Sequence, residues 1–224
     1  MPNSLRAAVS SIAGFAAFAL LLFLPAGTVN YWQGWAFLGV FVVVSLAPTM
    51  YLGKVDPATV QRRMNAGPRA ETRPVQKAVV VGIVVCFCAL LAVSGLDRRF
   101  GSSTVPTAVS VLGLVMVAVG LGMSMLVMFQ NRYAAANIVV EKDQPLVTMG
   151  LYGVVRHPMY SGSVVMMIGM PLALGSYWAL LVAIAALVLL VIPIVDEENM
   201  LSQELTGYRD YMQKVHYRLV PLAW

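Results

Sequence analysis

Apolar residues in this chain fall in long unbroken runs, not in the spaced stripes of water-soluble helices. Six runs stand out, at roughly 5–25, 32–53, 78–96, 105–128, 159–174 and 177–195. A transmembrane helix needs about 20 apolar residues, and the first four runs meet that length. The last two are separated only by Leu174-Gly175-Ser176, a turn signal. They predict a tight helical hairpin with a short first limb. The first run is too long for the apolar part of a signal peptide and lacks a convincing cleavage site, so it reads as a span. The pattern predicts an all-α, polytopic membrane bundle forming one domain over residues 1–224.

Between the runs the pattern changes. The 54–77 segment is polar, with Pro57, Pro68 and Pro74, and Pro57 to Met64 suits a short surface helix. Its basic residues read as a tether attracted to anionic lipid. After Glu197, the positions Leu201, Glu204 or Leu205, Tyr208, and Tyr211 or Met212 recur at helical spacing. They predict an amphipathic helix continuing from the sixth run, with Gly207 as a candidate break and Pro221 as a stop.

Composition agrees with a membrane protein. Hydrophobic residues make up 59% and charged residues 11%, against about 25% charged in soluble domains. The net charge of +5 does not point to nucleic acid, because the basic residues collect in loops. With the N-terminus inside, 13 of the 15 Lys and Arg residues fall on the cytoplasmic side, and only Arg98 and Arg99 fall outside. That asymmetry predicts cytoplasmic N- and C-termini. Tyr31, Trp32, Trp35, Tyr177 and Trp178 then fall at the outer interface, where amphipathic rings prefer to sit. Cys86 and Cys88 lie inside an apolar run and read as buried free thiols. There is no metal-ligand spacing and no phosphate-cradling glycine loop. The methionines Met123, Met125, Met128, Met166, Met167 and Met170 read as gap fillers between helices.

Two polar clusters interrupt this apolar background. One runs from Gly150 to Gly162 and holds Tyr152, Arg156, His157, Pro158 and Tyr160; the other is Asp196-Glu197-Glu198. A hairpin of the last two runs would bring them to one membrane face. Pro158 suits the first position of a helix, which makes His157 the cap. The positive end of that helix dipole would then favour a ligand carboxylate. A carboxylate there, Glu197 or Glu198, suits a sulfonium or ammonium cation, or a ribose diol. The plainer reading is interface decoration, with a snorkelling arginine and acids marking a span's end.

At these residues the chain resembles the isoprenylcysteine carboxyl methyltransferase family, most closely its bacterial members. The resemblance runs from about Asn131 to Trp224. It is carried by Asn131-Arg132-Tyr133, by Gln144-Pro145-Leu146-Val147 with Thr148-Met149-Gly150-Leu151-Tyr152, and by Arg156-His157-Pro158-Met159-Tyr160-Ser161-Gly162. It continues in Leu172-Ala173-Leu174-Gly175-Ser176, in Glu197-Glu198 with Leu201, in Gly207-Tyr208 with Tyr211, and in Tyr217-Arg218-Leu219-Val220-Pro221. It implies a methyltransferase that uses S-adenosylmethionine and releases S-adenosylhomocysteine. It places cofactor contacts on Gln144, Leu146, Val147, Tyr152, His157, Tyr160 and Glu197. Residues 129–224 would then be the cofactor-binding part and residues 1–128 the N-terminal spans. Where the eukaryotic enzymes have an arginine four residues before the paired glutamates, this chain has Pro193. That departure bears on the isoprenylcysteine carboxylate substrate. Arg156 is the candidate to take over its role, and Glu198 the candidate general base.

The expected function is methyl transfer to a lipophilic or amphiphilic acceptor. The acceptor would be an isoprenylcysteine-carboxylate-like compound or another apolar carboxyl, thiol or hydroxyl compound, reached from the bilayer, with no nucleic acid or metal partner. The alternatives are a phospholipid-amine N-methyltransferase and a non-enzymatic transporter or binding subunit. A transporter would carry ionisable groups at the midplane of several spans, and these runs are almost free of them.

Overall fold

The computed structural model describes residues 3–64, 74–134, 144–222 and 224. Arg69, Arg73 and Lys142, three of the 13 basic residues expected on the cytoplasmic side, lie outside the described residues. The described residues form eight α-helices and no strand: α1 (Asn3–Ala26), α2 (Trp32–Val55), α3 (Pro57–Met64), α4 (Pro74–Phe100), α5 (Thr107–Gln130), α6 (Pro158–Ala173), α7 (Ala179–Glu204) and α8 (Tyr208–Lys214). A short 3₁₀ turn, Gly150–Gly153, precedes α6. Each apolar run has become one helix, and the short helix expected at Pro57–Met64 is α3. Among the described residues, four helices, α2, α4, α5 and α7, are long and apolar enough to cross a membrane. With 16 residues, α6 spans about 24 Å at 1.5 Å per residue, short of a ~30 Å hydrocarbon core. Rows of exposed apolar residues, such as Val111, Leu112, Val115 and Val119 on α5 and Ile184 and Val188 on α7, form lipid-facing surfaces. The protein is integral to the membrane.

The turn at residues 174–178 is as tight as the sequence predicts, but its limbs diverge. α6 packs much more closely on α5 than on α7. The cause is a seam of small residues. Gly113 and Gly120 of α5 meet Gly162 and Gly169 of α6 so closely that a Cβ on Gly120 would lie 2.6 Å from the Met166 backbone nitrogen. Backbones approach this way only where side chains are absent. α7 leans instead on α4. The divergence leaves a gap between α4, α6 and α7 at the end of the bundle that carries His157.

The opposite end is solid. Leu22, Phe37, Leu38, Leu90, Leu91, Val117, Met170 and Leu174 form the main core. Tyr31, expected in an exposed aromatic belt, is instead buried at 1% exposure. Its hydroxyl donates to the Leu174 carbonyl and so pins the α6–α7 turn. Burial without that partner would cost the hydroxyl its solvation. Trp32, Trp35, Tyr177 and Trp178 do remain exposed. Nearby, the hydroxyls of Ser103 and Ser176 donate to Asp97. Cys86 and Cys88 are free thiols as expected, half-buried rather than fully buried.

The glycine seam makes a direct prediction. Gly113→Ala and Gly120→Ala should each lower stability by about 1–3 kcal/mol, the usual cost of overpacking. Gly122, which has nothing within 4 Å of a built Cβ, should accept alanine without loss. Thermal denaturation of the three variants in detergent reads the difference.

Candidate active site

The site is assembled at the entrance to α6. Pro158 opens the helix and His157 is its cap residue, without a side-chain capping bond. The chain reaches that point through the 3₁₀ turn, whose first residue, Gly150, has φ of +64°. A Cβ there would lie 2.6 Å from the Gln130 side chain, and Gln130 itself accepts from the Leu151 N–H at 3.0 Å. Gly150 is therefore required both by its backbone angle and by this close approach. The turn sets Tyr152, whose hydroxyl accepts from the Asn131 side-chain amide at 3.1 Å. The Tyr152 carbonyl accepts from the Tyr211 hydroxyl at 2.7 Å.

The two polar clusters meet. Arg156 Nε donates to Glu198 Oε1 at 2.6 Å, and both side chains are almost wholly buried. Arg218 Nε donates to the other oxygen, Oε2, at 2.8 Å. His157 Nε2 lies 3.3 Å from Glu198 Oε1, and its Nδ1 lies 3.9 Å from Glu197 Oε2. Glu198 thus carries two guanidinium groups and an imidazole. Arg156 Nη1 also donates to the carbonyls of Val215 and His216. Charge is tolerated here because it is paired and hydrogen-bonded throughout. Glu197, one position along α7, turns the other way. It hydrogen-bonds Tyr160 and keeps a quarter of its side chain accessible.

The tail behaves partly as expected. α7 continues to Glu204, and the chain then turns at Gly207, whose φ is +83°. The two tyrosines of the predicted stripe, Tyr208 and Tyr211, are buried. The last residues form a strap across the α6 entrance. The Arg156 and His157 N–H groups donate to the Tyr217 and Arg218 carbonyls, both at 2.9 Å, and the Ser161 hydroxyl donates to the Leu219 carbonyl at 2.6 Å. Burial pushes the Tyr152 phenol up to about 12, against the opposing hydrogen bond from Asn131. Burial also raises Tyr208 and Tyr211 well above the ordinary range, with Glu198 adding to both. All three are neutral phenols at physiological pH.

These elements enclose a cavity of about 400 Å³, within the size range of small-molecule sites. Gln144, Leu146, Val147, Tyr152, His157, Tyr160 and Glu197, the seven residues marked by resemblance, all line it, as do Arg156 and Pro193. Glu198 does not; it stands behind Arg156 and His157. Sequence reasoning missed Gln76, a buried glutamine on α4 that lines the cavity and donates to Asp196. Its only signal was its place beside Lys77, where the polar 54–77 segment gives way to an apolar run. It also missed the role of Arg218, although that residue stands in a motif singled out above.

The sequence profile of the phospholipid methyltransferase family matches residues 108–206. Among solved structures, the chain is similar to a eukaryotic intramembrane Ras methyltransferase, isoprenylcysteine carboxyl methyltransferase, solved without a monobody. The TM-score is 0.54 and the identity 18%, covering 96% of this chain and 86% of that one. No curated protein matches the chain. The chain has an isoprenylcysteine carboxyl methyltransferase-like membrane fold. The family segment begins at α5 and ends just past α7, so it contains the α6 entrance and both glutamates, while α4 lies outside it.

The charge cluster makes the second prediction. Glu198→Gln leaves two arginines without their carboxylate and should cost about 3–5 kcal/mol, as breaking buried pairs does. Arg218→Gln should cost clearly less, because its side chain is about a third exposed. Unfolding midpoints of both variants against wild type decide the order.

Proposed function

We propose that the cavity binds S-adenosylmethionine and that the protein transfers its methyl group to a lipophilic acceptor that arrives through the bilayer. The observation that carries this reading is the convergence of seven residues from four separate segments on one cavity. The donor set fits the cofactor. Glu197 is the accessible carboxylate that would pair with its ammonium or accept from its ribose. His157, Tyr160, Tyr152 and Gln144 offer further polar contacts, and Leu146 and Val147 an apolar one. The bound cofactor supplies an electrophilic methyl on an already activated sulfonium, so the protein's task is to position groups and exclude water.

Arg156 and Glu198 hold the site together in this reading. Both Glu198 oxygens face guanidinium groups, which disfavours proton uptake, so its part is to fix Arg156 and His157. Arg156, committed to Glu198 and two carbonyls, is poorly placed to meet an acceptor carboxylate. Together with Pro193 in the cavity wall, this weighs against an isoprenylcysteine carboxylate. It favours an acceptor with a neutral or amine head. The phospholipid methyltransferase profile supports the same second reading, an N-methyltransferase acting on a lipid amine. The basic-residue asymmetry supports cytoplasmic N- and C-termini, which would place this cavity on the side where the cofactor is available.

Calorimetry in nanodiscs tests the reading. Wild type should bind S-adenosylhomocysteine at micromolar scale. Glu197→Gln and His157→Ala should each weaken binding roughly tenfold to hundredfold, the ~1.5–3 kcal/mol of a hydrogen bond to a charged group. Pro193→Arg should leave that affinity nearly unchanged. No binding by folded wild type, or wild-type affinity in both pocket variants, would overturn it.

For topology, reporters fused after residue 224 and within the 101–106 loop should report opposite sides of the membrane, the first cytoplasmic. Two reporters on one side would contradict the orientation.

A further inference from the structure

The cavity is longer than its polar end requires. On α4 it is lined by Gln76, Val79, Val80, Ile83, Val84 and Phe87. These positions follow i, i+3, i+4, i+7, i+8 and i+11, one continuous helix face. At 1.5 Å per residue the face runs about 16 Å from Gln76 to Phe87. Met166 and Met167 of α6 and Leu190 of α7 complete the wall at that depth. Beyond Gln76 the walls of this arm are mostly apolar, and the lining hydroxyls of Ser124 and Ser163 are each committed to a carbonyl of their own helix. A cofactor carrying an amino acid, a ribose and a base has no chemistry to match such an arm.

Phe87, the last residue of this face to line the cavity, is a ring packed among others. Phe87 packs against Phe18 at 5.2 Å and Phe41 at 6.4 Å between centroids. Phe18 and Phe41 themselves meet edge to face at 5.3 Å. Contacts of this kind hold aromatic side chains in fixed positions.

We infer that the arm between α4, α6 and α7 is a chamber for one hydrocarbon chain of the acceptor, and that Phe87 is the stop that limits the chain's length. The inference rests on the methyl-transfer reading and narrows its substrate class to amphiphiles that insert a single tail. The wall is built largely by α4, outside the segment matched by the family profile. The family segment then serves the reacting head, and α4 sets which tail is admitted. Methionines at 166 and 167 suit this use, since their flexible thioethers adapt to a mobile chain.

The test uses full-length protein in nanodiscs and single-chain alkyl phosphoethanolamines with a photoreactive diazirine at the chain end. Three chain lengths are compared: well under, close to and well over the ~16 Å of the α4 face. In wild type the intermediate chain should label Ile83, Phe87, Met166 or Met167, and the longest should not label the chamber. Phe87→Ala should let the longest chain label Phe18 or Phe41, with at least a several-fold gain. Should that variant not fold, Val80→Trp, on the α4 face between Gln76 and Phe87, should abolish labelling at Phe87. Labels confined to lipid-facing positions such as Val115, Ile184 and Val188 would overturn the proposal. So would a length preference unchanged in Phe87→Ala, or Phe87 labelling that persists in Val80→Trp. S-adenosylhomocysteine binding, read by thermal shift on the same samples, separates the two claims. Chamber labelling without cofactor binding would sink the methyl-transfer reading alone. Cofactor binding without chamber labelling would sink the chamber alone.

Discussion

A single buried carboxylate holds the functional end of this protein together. Glu198 is 4% exposed and bonded to Arg156, Arg218 and His157. These partners come from the α6 entrance and the C-terminal strap, and Glu198 itself from α7. Desolvating four ionisable groups is costly unless each finds its counterpart. The arrangement therefore depends on α7 and the strap both being docked. That requirement fixes the imidazole of His157 and leaves Glu197, its neighbour in sequence, directed into the cavity. Two adjacent glutamates thus face opposite ways, one into the charge cluster and one into the cavity.

The second constraint is the glycine seam. By drawing α6 onto α5, it parts α6 from α7 beyond their tight turn and opens the space that becomes the cavity. Tyr31 and Asp97 at the opposite end keep the turn itself closed. The bundle is solid where it is tied by Tyr31 and hollow where it is tied by Glu198. That asymmetry suits the proposed reaction, whose two substrates differ in polarity.

Much of this was legible from the chain. Unbroken apolar runs in a bilayer leave few choices besides helices, so every run became one. Pro158 and His157 announced the α6 start through their positional chemistry, and the meeting of the two polar clusters followed from the hairpin. Tyr31 was misplaced because an aromatic residue beside a span's end looks the same whether it faces lipid or a neighbouring turn. Its partner, Leu174, is a backbone carbonyl 143 residues away and leaves no trace in the sequence. The opposed directions of Glu197 and Glu198 were equally hidden, since adjacent acids both read as a boundary until the helix phase is known. The α4 wall was invisible because a face lining a cavity and a face touching lipid are built from the same residues.

The central claim is that this cavity joins a cofactor's methyl to the head of a lipid-like acceptor. Incubating the purified protein in nanodiscs with isotopically labelled S-adenosylmethionine and a native lipid extract, then analysing products by mass spectrometry, tests it most directly. The account predicts a labelled methyl on an amphiphile with a hydrocarbon tail, formed much more slowly at limiting cofactor when Glu197→Gln replaces wild type. Label found only on water-soluble products, or no labelled product from protein shown to bind the cofactor, would contradict it.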